Sequence, residues 1–237
     1  MAKRFLLFMV GRTSVELAKE RGDYDRWFRE GLGVGEAMEV VRVVEGEALV
    51  DFRPYDAIVI TGSSAMVTDR EPWSVATAEL LREAHAHGTY LLGVCYGHQL
   101  LADALGGKVD WNPNGRQIGT VDAPLTDEGR ADALLGGIGD PLVVQTSHSQ
   151  CVLEPPPGAV VLATSPKDAS HALRFGPRSW GVQFHPEFDD HVSTTYIRER
   201  AERIRGEGGD PEALLRAVRA SGHGTAILRR FAGIVGG

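Results

Sequence analysis

The run Gly93-Val94-Cys95-Tyr96-Gly97 places a thiol between two glycines, at the junction of an apolar stretch, Leu91 to Val94, and a stretch of helical character that begins at Gly97-His98-Gln99. A G-x-nucleophile-x-G pattern between strand and helix is a nucleophile elbow: the flanking glycines let the two elements approach while the central residue is held out on a strained turn. At the start of the following helix a thiol sits at the positive end of the dipole, which favours its anion. The N–H of Tyr96 has no partner inside the helix there and can donate to an oxyanion. The same five residues also suit a small buried hydrophobe, so a nucleophile requires a base elsewhere. Of the eight histidines, His185 has the informative setting, Trp180-Gly181-Val182-Gln183-Phe184-His185-Pro186-Glu187-Phe188. In extended backbone, residues two apart share a face, so His185 and Glu187 point together, and Pro186 restricts the chain between them. A carboxylate beside an imidazole selects one tautomer and stabilises the imidazolium that forms when the thiol proton is taken. Nucleophile, base and orienter together would attack a carbonyl carbon. Two other readings of His185 compete, a surface histidine at a strand end and a metal ligand with Glu187. Zinc would need further ligands, and no cysteine follows Glu187 to complete a deaminase signature.

These side chains must be positioned by regular elements. Continuous apolar runs at Phe5 to Val10, Val40 to Val44, Ala57 to Ile60 and Leu91 to Val94 have the character of buried parallel strands. Helical patterns lie between them: Asp23 to Leu32 puts Tyr24, Trp27 and Phe28 on one face, and Trp73 to His87 carries Leu80, Leu81 and Ala84. Alternating strand and helix predict a doubly wound α/β sheet. Beyond Gly107 the pattern changes to short strand-like pieces near Ile118 to Val121, Leu142 to Gln145, Val160 to Thr164, His171 to Phe175 and Trp180 to Phe184, expected to continue or flank the same sheet. Val192, Tyr196, Ile197 and Ile204 recur at helical spacing, Asp210-Pro211 reads as an N-cap with proline at the first helical position, and Ile227, Leu228, Phe231 and Ile234 mark a last amphipathic helix. Residues Arg12 to Arg21 are expected as a loop.

The composition bounds the functions available. The chain has 237 residues, 43% hydrophobic and 24% charged, enough for a sizeable core. A net charge of −7, without a basic stripe, argues against general nucleic-acid binding. The longest apolar run, Phe5 to Val10, is far short of the ~20 residues of a membrane span, and no small-residue cleavage site follows it. The two cysteines, Cys95 and Cys151, exclude a disulfide scaffold and suit a reducing cytoplasm. Gly31-Leu32-Gly33-Val34-Gly35-Glu36 fails as a dinucleotide fingerprint at its last position, and no phosphate-binding G-x-x-x-x-G-K-[ST] run exists, so no nucleotide, metal or organic cofactor is expected.

Elbow and His-Pro-Glu run together resemble the class I glutamine amidotransferases. Members carry G-x-C-x-G-H-Q, matched from Gly93 to Gln99, and a late H-P-E, matched by His185, Pro186 and Glu187. The resemblance covers about residues 3 to 205 and implies a flavodoxin-like, mostly parallel sheet in a single domain, with residues 206 to 237 as a helical extension. It further implies that the loop at Gly62-Ser63 supplies a second oxyanion donor, the Ser63 N–H, beside that of Tyr96. Gln99 would contact substrate, and Thr146-Ser147-His148-Ser149-Gln150 would hold the α-amino and carboxylate groups through Ser147, Ser149 and Gln150. His148 is a rival base on bare chemistry, lacking an adjacent carboxylate, and Cys151 is most simply core.

The activity so implied is attack of Cys95 on the γ-carboxamide of glutamine or a γ-glutamyl compound, a γ-glutamyl thioester, and its hydrolysis to glutamate, with no cofactor. Whether ammonia passes to a separate synthase subunit, the chain is a stand-alone γ-glutamyl amide or peptide hydrolase, or it is a noncatalytic partner-binding relative stays open at this point. The intact Cys95, His185 and Glu187 disfavour the last.

Overall fold

Strand-forming apolar runs alternate their side chains between two faces, and here both faces are buried. In the computed structural model, which describes residues 3–237, they form β1 (Phe5–Phe8), β2 (Met38–Val41), β3 (Ala57–Ile60) and β4 (Tyr90–Val94), joined by α1 (Val15–Arg21), α2 (Tyr24–Leu32) and α3 (Pro72–His87). Phe5, Leu7, Ala57, Val59, Leu92 and Val94 enter one core, and Leu6, Phe8, Ile58, Ile60 and Leu91 enter the other. Each of these side chains larger than alanine contributes roughly 1.5–3 kcal/mol when taken from water, before chain entropy is set against it.

After β4 the chain enters α4 (Tyr96–Ala104), then β5 (Lys108–Trp111), β6 (Gln117–Ala123), α5 (Asp127–Ala131), β7 (Leu142–His148), β8 (Gln150–Glu154), β9 (Val160–Ser165), β10 (Asp168–Gly176) and β11 (Ser179–Val182). The seven-stranded sheet has the order β2-β1-β3-β4-β11-β10-β9. Its first five strands are parallel, and β10 and β9 close that side antiparallel. The expected continuation of the sheet therefore holds for β9 to β11, whereas β6 pairs with β7 and β5 with β8 as two separate antiparallel ribbons. Neither β5 nor β8 is among the expected pieces. The alternation at residues 108–111 is only four residues long, residues 150–154 have none, and each strand is made by its partner.

The tail forms α6 (Asp190–Glu199), α7 (Ala201–Gly206), α8 (Pro211–Ala217) and α9 (His223–Gly236). Asp210 caps α8 by accepting from the Ala213 N–H, as the Asp-Pro pair predicts. Ile227, Leu228, Phe231 and Val235 of α9 share the core that holds Trp27, Phe28 and Leu32 of α2. Three expectations shift. The second strand stops at Val41 and turns through a 3-10 segment, Val43–Glu45, closed by Gly46 in the left-handed region. Residues after Thr13 are helical, because Ser14 caps α1 by accepting from the Leu17 N–H. The spacing from Val192 to Ile204 is divided between two helices that meet at Arg200.

At the centre of the sheet β4 hands over to α4 with little room. A Cβ on Gly97 would stand 2.5 Å from the carbonyl oxygen of Ile60 on β3, and one on Gly93 would collide with the Gly97 carbonyl. Both contacts are with backbone, which cannot swing aside. Gly97→Ala should therefore lower unfolding free energy by about 1–3 kcal/mol, read as a lower urea midpoint with an unchanged m-value.

Candidate active site

Parallel strands end on one edge of the sheet, so the segments that follow β1, β3, β4 and β11 meet there, the usual place for ligands in open α/β sheets. Those segments carry Arg12, Gly62 and Ser63, Cys95, and His185. Registry fixes their heights: Ile60 pairs with Gly93, and Val94 with Val182.

Cys95 has φ 51 and ψ −100, a region that side-chain-bearing residues rarely occupy. The turn is held because the Cys95 N–H donates to Val182 O (2.8 Å), the Gly97 N–H to Thr61 O (3.2 Å) and the Gln99 N–H to Cys95 O (3.1 Å). Its sulfur lies 3.8 Å from the carbonyl oxygen of Ser147. Opposite, the His185 N–H donates to Gln145 O (2.8 Å), which ties the residue to β7. His185 and Glu187 meet through a turn and not on one face of a strand. β11 ends at Val182, and the Phe188 N–H donates back to the His185 carbonyl (3.2 Å), folding Pro186 and Glu187 around the ring. Nδ1 of His185 is 2.7 Å from Glu187 Oε1, with the carboxylate side chain fully buried. Phe188 stacks on the imidazole at 3.9 Å between centroids. Burial alone would lower the pKa of His185, but the charges of Glu187 and Cys95, with hydrogen bonds to both, raise it to about 10. The ring is thus built to hold a proton, with Nδ1 used by Glu187 and Nε2 left for the thiol.

The Gly62-Ser63 loop lies close to His185 and Cys95. A Cβ on Gly62 would stand 2.7 Å from His185 Cε1 and 3.7 Å from the Cβ of Cys95, so only a glycine lets the loop lie against both. Ser63 lines the cavity beside His185, its hydroxyl accepting from the Ala65 N–H (3.1 Å). Tyr96 opens α4 with its side chain anchored in the other core, its hydroxyl 2.6 Å from Ser74 Oγ. The residues expected to hold substrate divide into two groups. Ser147 lines the same cavity as His185. Gln99, only 4% exposed, donates from Nε2 to Gln150 O (2.8 Å) and to Gln183 Oε1 (3.0 Å), so its amide braces the β7–β8 turn. Gln150 is also buried and donates to Thr68 Oγ1 (2.6 Å). Ser149 faces a different cleft, of about 730 Å³, whose wall includes Trp111 and Leu214.

His148 does have a carboxylate nearby, contrary to expectation. Asp168 on β10 comes close to it, together with His171, their ligating atoms all within 4.8 Å of one another. Strand pairing makes this neighbourhood, and nothing in the local sequence signals it. Asp168 accepts from the Ser170 N–H (2.8 Å) and lies 3.4 Å from His171 Nδ1. Both nitrogens of His148 already face oxygens, Gln150 O at 2.9 Å and Gln117 Oε1 at 3.3 Å, and burial lowers its pKa to about 4. The neutral ring supports the turn that carries Ser147. Cys151 is buried, its thiol pushed up to about 12 by desolvation first and the charge of Asp168 second, which makes it an unreactive core residue.

Four residues at the cavity beside His185 were not singled out by their chemistry: Tyr24, Tyr196, Arg12 and Arg200. Both tyrosines sit in the apolar stripes of α2 and α6, where periodicity reads them as core. Their hydroxyls lie 3.3 Å apart, and that of Tyr196 is 2.8 Å from Thr13 Oγ1. A phenol on a buried stripe that needs a polar partner is the one signal available beforehand.

An α/β sheet with a strained thiol at the end of its central strand, and a buried carboxylate–imidazole pair facing it, has the geometry of an elbow between strand and helix. Comparison with known proteins places it further. The family model for glutamine amidotransferase class-I matches residues 27–202, and the chain belongs to that family. It is 31% identical over 195 residues to gamma-glutamyl peptidase 5 of Arabidopsis thaliana, covering 80% of this chain and 78% of that one. Similarity to GMP synthase [glutamine-hydrolyzing] of Aeropyrum pernix is 35% over 155 residues, 65% of this chain and 28% of the synthase. A solved glutamine amidotransferase from Thermotoga maritima superposes with a TM-score of 0.77 at 21% identity, covering 99% of this chain and 98% of the other, and so shares the fold.

The backbone at Cys95 makes a separate prediction about stability. Glycine accepts a positive φ without the Cβ penalty, so Cys95→Gly should be more stable than Cys95→Ala by about 1–2 kcal/mol, measured by chemical denaturation of the two variants side by side.

Proposed function

We propose that the chain is a cysteine-dependent hydrolase of γ-glutamyl amide bonds, acting on glutamine or a γ-glutamyl compound. The observation that carries this reading is the strained Cys95 at the sheet edge, facing a His185 whose proton is held by the buried Glu187. In the reaction, the sulfur of Cys95 attacks the γ-carbonyl carbon while the N–H groups of Tyr96 and Ser63 receive the charge that develops on oxygen. The carbon–nitrogen bond breaks as the proton on His185 passes to the leaving nitrogen, giving ammonia from glutamine or an amine from a γ-glutamyl amide. The γ-glutamyl group remains as a thioester on Cys95. Water then gives its proton to His185 and adds to the thioester carbon, the carbon–sulfur bond breaks, and glutamate leaves. Each step balances without a metal or an organic cofactor. Gln99, Gln150 and His148 act by holding the β7–β8 turn, so that Ser147 and the backbone around it meet the glutamyl moiety.

A γ-glutamyl substrate with a leaving group larger than ammonia is favoured by the similarity to a gamma-glutamyl peptidase across most of both chains. The amidotransferase subunit reading rests on the similarity to part of a GMP synthase, with a separate synthase as the ammonia acceptor.

Assaying glutamate release from glutamine and a panel of γ-glutamyl amides tests the proposal. Cys95→Ala and His185→Ala should each lower kcat by about 10³-fold or more, with circular dichroism unchanged. Full activity of Cys95→Ala would overturn the mechanism. Glu187→Gln should cost less than the about 10²–10⁴-fold loss that follows removal of the acid–base group itself. Its sign with pH is also defined. The carboxylate is the stronger of the two charges that raise His185, so without it the ring loses its proton at lower pH, and the alkaline limb of kcat/KM moves downward from about 10.

A further inference from the structure

In the mechanism above, the departing amine takes its proton from His185 and leaves on the side that ring faces. The cavity there is small, about 40 Å³, with Arg12, Tyr24, Ser63, Ser147 and Arg200 in its wall. It admits a few water-sized molecules and no amino acid. Arg12, Ser63 and Ser64 are shared with a neighbouring cleft of about 550 Å³, which continues past Val44, Glu71 and Trp73. A leaving group larger than ammonia must therefore pass Arg12 and extend into that cleft.

The charge in the cavity beside His185 is opposite to that of the chain, while the cleft beyond it also carries Glu45 and Glu71. The protein carries a net −7, yet the wall of the cavity beside His185 contains two guanidinium groups and no carboxylate. Arg12 is held by a carboxylate of the neighbouring cleft, and Arg200 by a residue of the cavity wall itself. Arg12 binds Glu45 Oε1 through both Nε (3.1 Å) and Nη2. Arg200 lies over the ring of Tyr196, 4.1 Å from its centroid, with a long bond from Nη1 to the Tyr196 carbonyl (3.5 Å) and Glu199 at 3.8 Å. Neither set of contacts uses the five donors of a guanidinium, so both retain N–H groups for an incoming acceptor. Two guanidinium groups beside the exit attract an anionic leaving group and offer no such contact to neutral ammonia.

We propose that Arg12 and Arg200 form a leaving-group subsite for a carboxylate, so that the preferred substrates are γ-glutamyl amino acids or peptides and not glutamine. The inference rests on the reading of Cys95 as the nucleophile of γ-glutamyl amide cleavage and names its substrate class. The free amino acid or peptide leaves with its carboxylate on the arginines and its nitrogen protonated by His185. Arg12 and Arg200 determine specificity and touch no reacting atom.

The discriminating pair of substrates is γ-glutamyl-glycine and γ-glutamyl-glycinamide, which differ only in the carboxylate. Glycinamide is the weaker base and the easier leaving group, so the comparison is biased against the proposal. Wild type should favour γ-glutamyl-glycine by about tenfold or more in kcat/KM, the scale of a charge-assisted contact, and the ratio should fall toward one in Arg12→Gln combined with Arg200→Gln. Equal kcat/KM for the two substrates in wild type, or a ratio unchanged in the double variant, would overturn the subsite while leaving the hydrolase reading intact. If wild type releases glutamate from neither, it is the hydrolase reading that fails, and calorimetry on Cys95→Ala decides the subsite independently. Tighter binding of γ-glutamyl-glycine, lost when both arginines are replaced, supports it. Equal affinity for the two compounds, or no binding of either, overturns it.

Discussion

The reversal at Cys95 is the constraint on which the rest of this structure depends. A residue with a side chain is held at positive φ between a buried strand and a buried helix, at a cost of about 1–3 kcal/mol. Such a conformation persists only if its surroundings leave no alternative, and they are unusually complete here. Glycines at positions 93 and 97 remove the atoms that would collide, and backbone hydrogen bonds to Val182 and Thr61 tie the turn to strands on both sides. The thiol is carried out of the sheet because the backbone has nowhere else to place it.

A second constraint is electrostatic. Glu187 and His185 are buried together, where an isolated carboxylate or imidazolium would be costly. One short hydrogen bond between them, with the thiol of Cys95 on the other side of the ring, makes the protonated imidazole the favoured form in spite of desolvation. His148 shows the contrast. It is as deeply buried but faces amide oxygens, and it stays neutral as part of the scaffold. Two histidines of one chain, close in space, are thus separated into different roles by what each faces.

The polar brace from Gln99 through Gln150 and His148 connects these constraints to the opposite wall. Buried amides hydrogen-bonded across α4, β8 and the segment after β11 hold the β7–β8 turn above the thiol. That wall is stiff. The other side of the site, formed by exposed or half-exposed Arg12 and Arg200 with Ser63 and Ser64, carries the proposed leaving-group subsite.

Much of this was legible along the chain. The four apolar runs, the elbow glycines, the His-Pro-Glu run and the Asp-Pro helix cap are local patterns, since close packing, tautomer choice and capping act between near neighbours. The resemblance to the family, and with it the placement of Gly62 and Ser63, also rested on short contiguous motifs. Other features had no local signal. β5 and β8 exist because they pair with each other, and Asp168 and His171 reach His148 only when β10 folds against the β7–β8 turn. Arg12 and Arg200 lie far apart along the chain and face one cavity because β1 and α6 end at the same sheet edge. The sequence by itself determined which groups are proposed to carry the chemistry, because residue type and backbone strain are properties of a residue and its immediate neighbours. Tertiary structure alone decided what surrounds them, because burial and charge at a site are sums over elements brought together only by the fold.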